Sequence, residues 1–330
     1  MRDILGARIM ISAMYANSKL FLVSILLAGC ATYVPDPQPL EIGRLPAPDV
    51  AVEIAHLGPC TDSPDRTLRF SASYPVTVLV HGCKGSAGHF RSLAQLFAFH
   101  GQQAVCFSYD DRDSLVLASG QLITALDELG GRLREHNVTV IGHSMGGLVA
   151  RKAMERDRDA QWQRRDMSIN LATVSAPIAG IAVASACGST PLQWLSLGVL
   201  PGLCWAITGD NWYEITSASS FIRSPGPLLT SVQRYLKVVT DERDTCRRKS
   251  ADGSCLESDY VFSLPEQYQP VIDHYPKLTN VEVGAGHVEI VGSKDVAPRK
   301  LISILQRQGL LAPTPPERGA AFERLLAELY

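Results

Sequence analysis

The stretch that most constrains this chain runs from Val138 to Gly147. A β-branched apolar run, Val138-Thr139-Val140-Ile141, leads directly into Gly142-His143-Ser144-Met145-Gly146-Gly147. An amphipathic segment marked by Leu148, Val149, Ala150 and Met154 follows. A strand that must reverse through one serine into a helix brings its backbones very close together. Gly142 and Gly146 are expected because any side chain there would clash. The turn predicts a strained backbone at Ser144 and a hydroxyl presented on the sharp bend of a G-x-S-x-G nucleophile elbow. That geometry suits attack on an acyl carbonyl.

The surrounding chain alternates in the way a parallel sheet with helices on both faces requires. Val76–Val80 is a short apolar run of buried-strand type, and 104–109, 169–174, 236–240 and 281–283 read as further strands. Helical spacing joins Phe90, Leu93, Ala94 and Phe97, and a longer stripe joins Leu115, Ala118, Leu122, Leu126, Leu129 and Leu133. Leu301, Ile302, Ile304 and Leu305 predict a closing helix, and Phe322, Leu325, Leu326 and Leu329 a last amphipathic one. Residues 177–223 break the alternation with Leu192, Trp194, Leu195, Leu203 and Trp205 among glycines and serines. This insertion is expected to form an apolar cap or lid over the serine; a helical excursion packed on the core is the alternative.

A serine hydroxyl needs a base oriented by a carboxylate, and on this architecture the partners follow in the order Ser, acid, His. Of eight histidines, His274 and His287 lie well beyond Ser144. His287 ends Gly284-Ala285-Gly286-His287 just past an apolar strand and is the expected base; His274 reads as a surface residue. Asp259 is the expected acid, with Asp241 and Asp244 as positional alternatives. Met145 N–H is the expected first oxyanion donor. The second is assigned to Cys83 N–H in His81-Gly82-Cys83-Lys84-Gly85-Ser86, with Lys84 reaching solvent.

His81-Gly82 after a strand, the elbow, Ser175-Ala176-Pro177, Asp259-x-Val261 and Gly286-His287 together resemble the α/β-hydrolase lipases. The nearest groups are bacterial triacylglycerol lipases and GPI-inositol-deacylase-like hydrolases. Trp212-Tyr213-Glu214-Ile215 to Ser220-Phe221-Ile222 is similar to the segment following the lid in that group. The similarity covers about residues 76–290. Cys83 and Lys84 depart from the commoner apolar residues of the oxyanion loop. The resemblance implies an α/β-hydrolase fold, a mostly parallel sheet flanked by helices with a cap insertion, and hydrolysis of a lipid or small ester without a cofactor or metal. A thioesterase or acyltransferase on the same triad is a second reading, and a catalytically silent binding lipoprotein a third.

Lys19 precedes an apolar run from Leu20 to Ala28 that ends in Leu27-Ala28-Gly29-Cys30. The run is too short to span a bilayer but suits a signal peptide over residues 1–29, with translation starting at Met1, Met10 or Met14. The tetrapeptide resembles a lipobox, so lipidation of Cys30 is expected, with a plain cleaved signal or uncleaved anchor as alternatives. With Ala31 next and no acidic retention signal, the expectation is an outer-membrane anchor facing the periplasm. Prolines 35, 37, 39, 46 and 48 make residues 30–50 a semi-rigid tether, leaving 51–330 as the catalytic domain.

An exported chain with eight cysteines predicts disulfides. The expected pairs are Cys246–Cys255, Cys187–Cys204 and Cys83–Cys106, leaving Cys60 free. No C-x-x-C spacing points to zinc. Thirty-one basic residues against 33 acidic ones give no polyanion-binding surface, so no nucleic acid partner is expected, and the domain is expected to be monomeric.

Overall fold

A computed structural model describes residues 44–330 except 165, 190, 193–195, 197 and 198. The signal segment, Cys30, most of the tether, Trp194 and Leu195 lie outside the described residues.

The described residues form eleven strands: β1 (Val50–Val52), β2 (Leu57–Gly58), β3 (Leu68–Phe70), β4 (Val76–Val80), β5 (Gln103–Phe107), β6 (Asn137–His143), β7 (Ser168–Val174), β8 (Val232–Asp241), β9 (Cys246–Lys249), β10 (Cys255–Ser258) and β11 (Leu278–Gly284). Seven form one sheet in the order β11-β8-β7-β6-β4-β5-β2. Every pairing is parallel except β2 against β5. The expected strands all occur, most of them longer than their apolar runs. The antiparallel edge strand β2 is too short to leave a pattern in sequence.

Alternation along the strands divides the core. Val78, Val80, Val140 and Leu171 face one side, with helices α2 (Leu115–Gly130) and α3 (Met145–Ala153) packed there. Leu79, Ile141, Ala172 and Leu236 face the other. That side is covered by α1 (Arg91–Phe99) and by α5 (Arg299–Arg307) and α6 (Gly319–Leu329) near the C-terminus. Both faces of the central strands are buried, which explains their continuous apolar character.

The insertion after β7 carries a single helical turn, Ser185–Gly188, and helix α4 (Val199–Thr208). Cys187–Cys204 staples the two. The segment is tied to the loop before α2, where Asp210 N–H donates to Arg112 O (2.7 Å) and Asn211 Nδ2 donates to Asp111 O (2.7 Å). Leu203 and Trp205 on α4 remain 57% and 52% exposed. Among the described residues no helix is long and apolar enough to cross a membrane.

Cys246–Cys255 closes the β9–β10 hairpin as expected. The expected Cys83–Cys106 bridge is corrected: Cys106 pairs with Cys60, and Cys83 is a free, exposed thiol. Cys106 lies mid-strand opposite Leu79 on β4 and Gly58 on β2. Cys83 lies four residues beyond Leu79, about 13 Å at strand rise, too far for a disulfide. Cys60 is only two residues past Gly58, so the edge strand decides the pairing.

Candidate active site

The site is assembled at the C-terminal ends of five parallel strands. Strand β6 delivers Ser144 with φ 55° and ψ −128°, and α3 begins at the next residue. The glycines around it are dictated by contact. A Cβ on Gly142 would lie 2.3 Å from Gly146 O, and one on Gly146 would lie 2.3 Å from His81 O. A Cβ on Gly147 would lie 2.6 Å from the Cβ of Ala176. The end of β4 and the elbow therefore touch backbone to backbone, the Ala176 side chain fills the space beside Gly147, and these three glycine positions have no room for side chains.

The loop after β11 brings His287 to the serine: Nε2 lies 3.1 Å from Ser144 Oγ. Both residues are buried. The other ring nitrogen, Nδ1, lies 3.0 Å from Glu242 Oε1, not against Asp259. This corrects the expected acid. Glu242 is the first residue after β8, and strand alternation places it on the same side as Thr240. Asp241 points away and pairs with Arg243 at the surface (2.8 Å), and Asp244 occupies a left-handed turn position at φ 59°. Asp259 is buried too, but its carboxylate accepts the backbone N–H of Val288 and Glu289 and the guanidinium of Arg247. His274 is exposed and bonds to Pro270 O (2.6 Å), as expected of a surface histidine.

Glu242 is held from every side. Its Oε2 accepts N–H groups from Val261 (2.6 Å) and Phe262 (2.8 Å). Its Oε1 accepts Ser175 Oγ (2.7 Å), with Thr240 Oγ1 at 2.9 Å. Ser175 Oγ also lies 2.8 Å from His287 Nδ1. Burial pushes the Glu242 carboxyl upward, but hydrogen bonding and charge from His287, with the Phe262 and Val261 N–H groups, outweigh it and hold it below the usual carboxylate value. Sequence reasoning missed Glu242, Thr240 and the contact of Ser175. The available signal was the two-residue alternation Thr240, Glu242 at the end of an expected strand.

Two further groups confine the imidazole. Phe262 presents its ring edge-on at a centroid distance of 4.8 Å. His143 Nε2–H donates to His287 O (2.9 Å), and burial with the neighbouring His287 lowers the His143 pKa to about 3, so this ring stays neutral.

Met145 opens α3, and N–H groups of a first helical turn have no intrahelical acceptor. The Gly82–Gly85 turn passes beside the serine: a Cβ on Gly82 would lie 2.8 Å from Ser144 Cβ. Asp111 fixes this turn by accepting the N–H of Lys84, whose φ is 54°. Cys83 thus sits in the loop next to the nucleophile with its neighbour's backbone restrained, and Lys84 is exposed as expected.

Solved structures with a similar fold include the lipase BlEst2 of Bacillus licheniformis. Its propeptide form matches with a TM-score of 0.50 at 16% identity, over 76% of this chain and 52% of that one. Its mature form matches with a TM-score of 0.49 at 18% identity, over 77% and 97%. The Pyrococcus furiosus esterase Pf2001 matches with a TM-score of 0.43 at 16% identity, over 84% and 95%. No curated protein sequence matches the chain. The sequence pattern of the Alpha/beta hydrolase family matches residues 77–317, which carry the elbow, the carboxylate and the histidine, and the chain belongs to that family.

Proposed function

We propose that this protein is a serine hydrolase of carboxylic esters that works through an acyl-Ser144 intermediate. The observation that carries the reading is the continuous path Ser144 Oγ, His287 Nε2, His287 Nδ1, Glu242 Oε1, with contacts of 3.1 and 3.0 Å. His287 takes the proton as Ser144 Oγ bonds to the acyl carbon. Glu242 holds the ring's Nδ1–H tautomer and stabilises the imidazolium that forms. The carbonyl oxygen gains charge and is met by the N–H groups of Met145 and Cys83, each donor contributing about 3 kcal/mol to the transition state. His287 returns the proton to the leaving alcohol, and a water activated by the same nitrogen then releases the acid.

A long-chain or lipid ester is the preferred substrate class. Support comes from Leu192, Leu203 and Trp205, which the insertion leaves exposed, and exposed apolar surface on a monomer marks a binding face. The chain is held at the outer membrane by lipidated Cys30 and extended from it by the proline-rich tether.

A fluorophosphonate probe tests the chemistry. Wild-type protein should be labelled at Ser144 and the Ser144→Ala variant should not; an unlabelled wild type would sink the proposal. A series of nitrophenyl esters and thioesters of increasing acyl length then ranks the substrates. Cys30→Ser should move the protein out of the membrane fraction.

A further inference from the structure

We infer that Asp259 is a positioning residue for His287, secured by Arg247 from the disulfide-closed hairpin. The inference rests on His287 acting as the base proposed above.

Asp259 collects the backbone of the histidine loop on one residue, through its main-chain carbonyl and its carboxylate. Its carbonyl accepts His287 N–H (2.9 Å). Its carboxylate accepts Val288 N–H on both oxygens (3.1 Å each) and Glu289 N–H (2.9 Å). Three consecutive N–H groups therefore end on one residue, and the loop cannot rotate without losing all three. Gly286 belongs to the same arrangement, because a Cβ there would lie 2.1 Å from Asp259 Oδ2. The glycine before the histidine is required by the carboxylate's approach.

A carboxylate only 2% exposed needs a compensating charge. Arg247 supplies it, with Nε at 3.1 Å and Nη2 at 3.0 Å from Oδ1. Arg247 lies on β9, next to Cys246, and the Cys246–Cys255 bond ties together the exposed β9–β10 hairpin that carries it. The hairpin between Glu242 and Asp259 thus has a use: it carries a cation to the carboxylate that fixes His287. The imidazole must face Ser144 and Glu242 at once, and a misplacement on the order of 1 Å costs roughly a hundredfold in rate.

The test compares Asp259→Asn, Arg247→Ala and Arg247→Lys in the full chain on a soluble short-chain nitrophenyl ester. Asp259→Asn should lower kcat by roughly 10- to 100-fold with KM little changed, since only the base moves. Arg247→Ala should lower kcat less, and Arg247→Lys should restore most of it by returning the charge. The His287 Cε1–H resonance should shift or broaden in the first two variants and return in the third. Wild-type kcat and an unmoved resonance in Asp259→Asn and Arg247→Ala would overturn the inference. Should wild-type protein lack turnover and Ser144 labelling, the hydrolase reading fails, and the resonance alone decides whether Asp259 positions His287. A variant that does not fold is replaced by Arg247→Gln, which is shorter and uncharged but keeps a polar end, and must give the Arg247→Ala result.

Discussion

Glu242 Oε1 lies 3.0 Å from His287 Nδ1, while the Asp259 carboxylate binds the backbone N–H groups one and two residues further along the same loop. Two buried carboxylates therefore serve one histidine, one at the ring and one at the main chain. Substituting Glu242→Gln leaves the size of the side chain unchanged but removes the charge that stabilises the imidazolium. Turnover should fall by roughly 10³- to 10⁴-fold. Asp241→Asn, which breaks only a surface contact with Arg243, should stay within about twofold of wild type. Steady-state kinetics on one ester checks both; a fully active Glu242→Gln would return the acid's role to another residue.

The disulfide pattern predicts an ordering of stabilities. Cys60–Cys106 closes a separation of 46 residues and Cys246–Cys255 one of 9. On loop-entropy grounds these correspond to about 4 and about 2.6 kcal/mol. Cys60→Ser with Cys106→Ser should lower the denaturation midpoint more than Cys246→Ser with Cys255→Ser. Non-reducing peptide mapping should recover Cys60 joined to Cys106; a Cys83–Cys106 peptide would contradict the edge-strand pairing.

Acid should destabilise the fold through two groups of the site. His143 stays neutral when folded, its pKa lowered to about 3, whereas the unfolded chain takes up a proton as pH falls through 6.5. Stability is therefore lost from about pH 6.5 down to about 3. Glu242, lowered when folded, contributes stability above its ordinary value of 4.5 that is lost as pH falls below it. Both effects have the same sign. His143→Gln should remove up to about 1.4 kcal/mol per pH unit of this slope between pH 6.5 and 4.5. Urea denaturation at several pH values measures it, and parallel curves for variant and wild type would refute it.

Cys83 is exposed as a residue, but its thiol is partly desolvated against the loop, and this first, then the nearby Asp111, pushes it up to about 11. Iodoacetamide acts on the thiolate, so alkylation of Cys83 should be slow at neutral pH and accelerate about tenfold per pH unit towards that value. The adduct, beside Ser144, should slow ester turnover in proportion to labelling. Rapid alkylation at neutral pH would show that the thiol is neither desolvated nor held up by Asp111.

The elbow was legible because every restraint on it is local. Val138–Ile141 is β-branched, Gly142 and Gly146 leave room for backbone contact, and Leu148 to Met154 repeat at helical spacing. His287 was legible for a similar reason, as a histidine in a glycine loop directly past an apolar strand. The helices over both core faces followed from spacing alone, with Phe90 and Leu133 lying just outside the ends of α1 and α2.

The acid was not legible in the same way. Asp241, Glu242, Asp244 and Asp259 all lie at or beyond the end of β8, and sequence order cannot say which one reaches the imidazole. That depends on where β7, β8 and β11 end relative to one another, and on Ser175, Val261 and Phe262 converging on one carboxylate from distant positions. The cysteine pairing failed for a related reason, since a two-residue edge strand decides it and leaves no periodicity. By itself the sequence determined the elbow at Ser144, the glycine loop that carries His287, the parallel sheet and two of the three disulfides, because short-range spacing and sterics encode them. Only the tertiary structure decided which carboxylate meets the ring, which cysteine stays free and why Gly286 precedes the histidine, because each depends on contacts between residues far apart in the chain.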